Sequence, residues 1–181
     1  MLDLETFGTG AGAVIISIAA IPFSFRESPL TKIEVGDICF QMNVSPTSCL
    51  KIGMHSDDET IEWWVSKADT LRLLQKDQES IRYMVASFTG FWNERCDENT
   101  KLWGKGPSFD CTILASAYRL LGYNIPWKYY NERCVRTYLD GHERSIKENV
   151  EFVGVPHMPF SDANYQISCM KHVYGQTHIL P

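Results

Sequence analysis

Two carboxylates stand near the start of the chain, in Leu2-Asp3-Leu4-Glu5. A strand through these residues sends Asp3 and Glu5 out on the same face, roughly 7 Å apart at Cα, close enough to converge on one hard cation. A lone pair of this kind is usually just solvated acid. Here apolar residues flank it, and the glycine turn Phe7-Gly8-Thr9-Gly10 follows, where a phosphate or sugar can approach the backbone closely. A third carboxylate, Asp110, ends the run Trp103-Gly104-Lys105-Gly106-Pro107-Ser108-Phe109-Asp110, which reads as a strand giving way to a helix. Ligands bind at such junctions in open α/β sheets, although a helix N-terminus also favours a plain capping carboxylate. His157 and Asp162 are five apart, which on one continuous helix would turn them about 140° from each other. Pro156 and Pro159 resolve this: a helix beginning near Pro159 leaves His157 in the preceding loop and Asp162 in the first turn, so both can face one point. Four carboxylates brought together would raise one another's pKa unless cations neutralise them.

These groups need elements to hold them. Leu2 to Glu5 is a short strand, and the nearly apolar, β-rich Ala13 to Phe25 reads as a strand covered on both faces. Ile33 to Val44 alternates loosely and should be the third strand of an antiparallel meander. Ser56 as N-cap, with Glu59 completing a capping box, starts a helix through Ile61, Trp64 and Val65. Asp77 to Cys96 carries Ile81, Met84, Val85, Phe88 and Trp92 at helical spacing. Lys101 to Gly104 suggests a brief strand, and Pro107 to Leu121 a helix stopped by Gly122. Trp127 to Tyr130 suggests a last strand, Glu132 to Leu139 a helix, and Pro159 to about Tyr174 the final helix before Gly175. Strands first, then helices with a strand or two between them, predict an α/β sheet with helices packed on its faces. No linker or internal repeat is visible, so residues 1–181 read as one domain.

Composition narrows the classes. At 44% hydrophobic and 12% aromatic residues in 181, the chain can bury a core without disulfide or metal staples. The six cysteines (39, 49, 96, 111, 134 and 169) form no CxxC and sit beside no histidine cluster, which argues against a zinc finger or a disulfide framework. The longest apolar run is too short to cross a bilayer, and no basic segment opens a signal peptide. The expectation is a cytoplasmic protein with reduced thiols and no membrane partner. The net charge of −5 counts against a passive nucleic-acid binder more than against a metal-dependent nuclease, whose cations invert the local potential.

The order Asp3-x-Glu5, Asp110, His157-x4-Asp162 resembles the DEDDh pattern of the DnaQ-like 3′→5′ exonucleases. The segments LDLETFGTGAGAVIISIAA, TIEWW, WGKGPSFD and ERCVRT are similar to the small stand-alone members, of the phage exodeoxyribonuclease A type and a mycobacterial exoribonuclease type. Two departures stand out: Pro159 occupies a position where the wider superfamily often has Ala, and Asp3 has almost nothing before it, as in a tight or trimmed start. The resemblance implies a ribonuclease H-like mixed sheet, antiparallel in strands 1–3 and then parallel, with helices on both faces. It implies two Mg²⁺ or Mn²⁺ ions, bridged by Asp3, with Glu5 and Asp162 completing the first and Asp110 serving the second. His157 would deprotonate the attacking water, and the products would be nucleoside 5′-monophosphates from the 3′ end of single-stranded DNA or RNA, or of an overhang. Thr6 and Phe7 would sit beside the terminal nucleotide, and a homodimer is implied by the same route. Trp64, Trp103 and Phe109 are base-stacking candidates, against the reading that aromatics at helical spacing are core. Arg133 and Arg136, three apart on a helix face, suit phosphates or simply a solvated face.

Rival readings are weaker. Gly8-x-Gly10-x-x-Ala13 matches a dinucleotide fingerprint, but β-rich sequence follows where a helix N-terminus is needed. Asp57-Asp58-Glu59 is a helix start rather than a metal site. Cys111 lacks a basic partner that would make it a nucleophile. The alternative function is a catalytically idle nuclease-like fold used as an interaction module, and the intact set of five argues for the enzyme. DNA and RNA stay open, because no residue is assignable to the 2′-OH.

Overall fold

The computed structural model describes residues 1–26 and 38–177. Its strands are β1 (Leu2–Thr6), β2 (Ile15–Ala20), β3 (Phe40–Val44), β4 (Gln78–Glu79), β5 (Leu102–Gly104) and β6 (Glu132–Cys134). Among the described residues the α-helices are α1 (Pro46–Lys51), α2 (Asp58–Val65), α3 (Ala68–Leu74), α4 (Ile81–Arg95), α5 (Asp110–Leu121), α6 (Val135–Leu139), α7 (Glu143–Asn149) and α8 (Pro159–Thr177). β1, β2 and β3 pair antiparallel in succession and β4 adds parallel to β3. β5 lies beside β1 and pairs parallel with β6. This antiparallel-then-parallel sheet with helices is consistent with a ribonuclease H-like fold.

Alternation along β1 decides what each helix covers. Leu2 and Leu4 join Ile18 and Phe40 in the main core, where α4 and α5 supply Met84, Phe88, Ile113 and Tyr118. Met1 points to the other side, toward Ile21 and the Ala163, Ile167 and Met170 face of α8. Asp3 and Glu5 share that second side, and their partners across the ladder are the small Ala19 and Ser17, which leave room for carboxylates beneath a helix. Every residue of β2 is buried, the reason its IISIAA sequence does not alternate. No helix among the described residues is long and apolar enough to cross a membrane.

Several elements differ from the sequence reading. The β-rich run from Ala13 contracts to Ile15–Ala20, and the third strand is Phe40–Val44, residues 33–37 lying outside the described ones. Ser56 does not cap α2; Asp57 holds the N-cap position, and its carboxylate accepts from the Thr9 N–H at 2.9 Å, tying the glycine turn to the helix. α4 starts at Ile81, where the Ser80 hydroxyl accepts from the Tyr83 N–H. α5 begins at Asp110 rather than Pro107 and stops at Gly122, whose φ of 70° suits glycine. Trp127 to Tyr130 is not a strand: Tyr129–Asn131 forms a 3₁₀ turn, and the strand is Glu132–Cys134, which the sequence reading placed in a helix. Pairing with β5 overrides local propensity there. The last helix continues through Gly175 to Thr177.

Candidate active site

Three separate stretches of chain meet on the α8 side of β1. The Leu4 N–H donates to Asp110 Oδ1 at 3.1 Å, so the first residue of α5 is fastened to the middle of β1 across 106 positions. A Cβ at Gly104 would come within 2.9 Å of Asp110 Oδ2, so only glycine lets β5 pass this close. From α8, the Gln166 Nε2 donates to Asp3 Oδ1 at 2.7 Å. Asp162, one turn earlier in the first turn of α8, joins Glu5 and His157: potential ligand atoms of these three lie within 4.8 Å of one another. His157 occupies the loop before α8 with a φ of 63°, a left-handed conformation uncommon outside glycine. Its ring meets the Trp63 indole edge to face, centroids 4.8 Å apart.

Burial makes this cluster electrostatically costly. Asp3 is 8% and Asp110 3% exposed, and among the described residues no ion pair reaches any of the four carboxylates. Burial, then repulsion from Asp110 and Asp162, raises Asp3 well above the usual carboxylate range. Burial and the charges of Asp3, Asp162 and Asp110 push Glu5 up to about 9. Asp110 rises to about 7 by burial, held back by backbone N–H donors, that of Leu4 foremost, and by Arg136. Burial raises Asp162 as well, against the His157 N–H, the His157 charge and Lys105. Among the described residues, Asp162 Oδ2 is buried without a partner. Hard oxygen donors, mutually repelling and partly orphaned, fit divalent cations such as Mg²⁺ or Mn²⁺.

A cleft of about 320 Å³ opens beside Glu5, lined by Thr6, Thr9, Trp63, Trp64 and Phe109 among others. Thr6 is buried there, its hydroxyl donating to the Gly8 carbonyl. Phe7 is half-buried against the main core, and Phe109 packs on the same core at the edge of the cleft. Trp64 is 1% exposed, with its indole N–H on the Thr6 carbonyl at 2.8 Å, so it is a supporting wall and offers no free face to a base. The neighbouring Trp63, 40% exposed, lines the cleft with its ring against His157 and beneath the Lys67 ammonium. Both tryptophans were visible in the sequence, but which one faced outward depended on how α2 is rotated against β1. Trp103 leaves the site altogether. Gly104 faces Asp110, so alternation turns Trp103 away to pack with Phe25 and Tyr138. Arg133 and Arg136 do not share a helix face. Arg133 lies on β6 and donates to the Tyr130 and Glu132 carbonyls. Arg136 lies on α6, where it borders a cavity of about 640 Å³ between α6, α7 and α8 together with Lys105 and Gln166. Gln166 was not among the expected residues. Its only sequence signal is its place four residues after Asp162.

Fold and site define an α/β protein built around a buried polycarboxylate centre with an imidazole at its rim. The chain belongs to the Rv2179c-like family of 3′-5′ exoribonuclease domains, whose model matches residues 1–174. That family name indicates 3′-5′ exoribonuclease activity and a nucleic-acid substrate. A comparison with curated proteins gave no match.

Proposed function

We propose that this chain is a divalent-cation-dependent, DEDDh-type 3′→5′ exoribonuclease that removes the terminal nucleotide of single-stranded RNA as a nucleoside 5′-monophosphate. The observation that carries the reading is the convergence of Asp3 and Glu5, Asp110, and His157 with Asp162, from the start, middle and end of the chain. Asp3, Glu5, Asp110 and Asp162 would hold two Mg²⁺ or Mn²⁺ ions, which supply charge stabilisation to the attacking and leaving oxygens of an in-line displacement. His157, whose ring lies beside Glu5 and Asp162, takes the proton of the attacking water. Trp63 and Phe109 flank the terminal base in the cleft beside Glu5, and Thr6 sits at its floor.

The test is digestion of end-labelled oligoribonucleotides, the same sequence in DNA, and an RNA whose 3′-terminal nucleotide carries a 3′-phosphate. The expected result is stepwise release of nucleoside 5′-monophosphates from the free 3′ end, abolished by chelator and restored by Mn²⁺. Release that persists in chelator, or that starts inside the chain, overturns the proposal.

A further inference from the structure

Gln166 is a buried polar side chain to which the mechanism above gives no work. It is 4% exposed, and its amide has two ends with different fates. Nε2 donates to Asp3 Oδ1 at 2.7 Å, whereas Oε1 is buried with no donor among the described residues. Among the described residues Asp162 Oδ2 is also buried and unpartnered, and Asp162 lies one helical turn away on the same face of α8. Asp162 Oδ2 belongs to the carboxylate cluster, and the Gln166 amide reaches from Asp3 toward the cavity between α6, α7 and α8; among the described residues both oxygens lack the donor or cation that a buried oxygen calls for.

We infer that Gln166 is a positioning residue for the cation centre, fixing Asp3 through Nε2 while Oε1 receives a hydrogen bond from water. This rests on the cation-dependent reading proposed above. The orientation of the amide follows from Asp3. With Asp3 ionised, as bound cations would keep it, turning the amide over would set Oε1 against a carboxylate oxygen, so the donor end faces Asp3 and the acceptor end is left for water. A neutral amide suits the position. It steadies an ionised Asp3 without competing for it as a buried lysine or arginine would, and it adds no fifth negative charge. Carboxylates that bind metal are themselves commonly held by such outer hydrogen bonds, and removing one typically weakens metal affinity about 10- to 100-fold.

Gln166→Met keeps length and volume and removes both hydrogen-bonding ends. The experiment titrates Mn²⁺ into the metal-free wild-type chain and the variant by calorimetry, with thermal melts of both and steady-state kinetics on an oligoribonucleotide across a Mn²⁺ series. The expected result is a folded variant whose Mn²⁺ affinity falls about 10- to 100-fold, whose KM for RNA is unchanged, and whose kcat recovers substantially at saturating Mn²⁺. Gln166→Asn, which keeps the amide but withdraws it by one methylene, serves if the Met variant does not fold, and is expected to weaken Mn²⁺ binding in the same direction. A folded variant that binds Mn²⁺ within twofold of wild type overturns the role of Gln166 and leaves the nuclease reading standing. A wild type that binds no divalent cation removes both.

Discussion

His157 has a left-handed backbone, φ 63°, and potential ligand atoms of its ring, Glu5 and Asp162 lie within 4.8 Å of one another. Replacing His157 with Ala should lower turnover about 100-fold or more while leaving Mn²⁺ affinity largely intact, read by single-turnover assay and calorimetry on the same protein. If Mn²⁺ affinity falls in step with turnover, the imidazole is a ligand rather than the proton acceptor. The adjacent tryptophans give a second contrast. Trp64→Ala removes a fully buried indole and its bond to the Thr6 carbonyl, and should cost about 3–5 kcal/mol in urea unfolding. Trp63→Ala should leave unfolding nearly unchanged and raise KM for a short oligoribonucleotide about tenfold, the value of one lost stacking face. Equal effects of the two substitutions would contradict the assignment of Trp63 as the stacking surface.

Between elements, the tightest restraint on the site is the crossing of β5 past the start of α5. Asp110 cannot retreat from a new methyl group at residue 104, because the Leu4 N–H holds its other oxygen. Gly104→Ala should therefore displace the carboxylate and lower kcat about 100-fold, as misplacements near 1 Å do. The thermal midpoint should change far less, and full activity with an intact melt would show that Asp110 has slack the structure does not suggest. Element boundaries in this region were the least legible part of the sequence. Glu132 to Cys134 carries no β pattern of its own and becomes a strand because β5 offers it a parallel partner. That pairing is also what separates Arg133 from Arg136. By contrast, β1, α4 and the stop at Gly122 were readable, because burial period and cap chemistry are local signals.

Across the whole molecule, the cluster makes stability depend on pH and cations together. In the unfolded chain these carboxyls ionise near their usual values around 4, whereas in the fold Glu5 holds its proton to about 9 and Asp110 to about 7, with Asp3 also raised. Between those limits the folded state binds more protons than the unfolded one, so stability falls as pH rises. The metal-free protein should lose thermal stability progressively from about pH 4 to about pH 9. Mn²⁺ or Mg²⁺, which favours the ionised forms, should raise the midpoint more at pH 8 than at pH 5. In Glu5→Gln the decline should flatten, since the neutral amide has no proton to lose. Melts at several pH values, with chelator and with Mn²⁺, check all three, and a metal-free midpoint that climbs toward pH 8 would contradict them.

The sequence by itself named the carboxylates and the histidine of the candidate site and their distribution along the chain. A carboxylate pair at period two on a strand, a carboxylate at a strand-to-helix junction and a histidine held off a helix by prolines are local facts of residue type and backbone geometry. The tertiary structure decided which indole is exposed, that Trp103 turns away from the cleft, that the two arginines part company, and that Gln166 stands behind Asp3. These follow from helix rotation, strand pairing and burial between residues as far as 163 positions apart, and no spacing rule carries information over such a separation, because only packing determines which side chains finally meet.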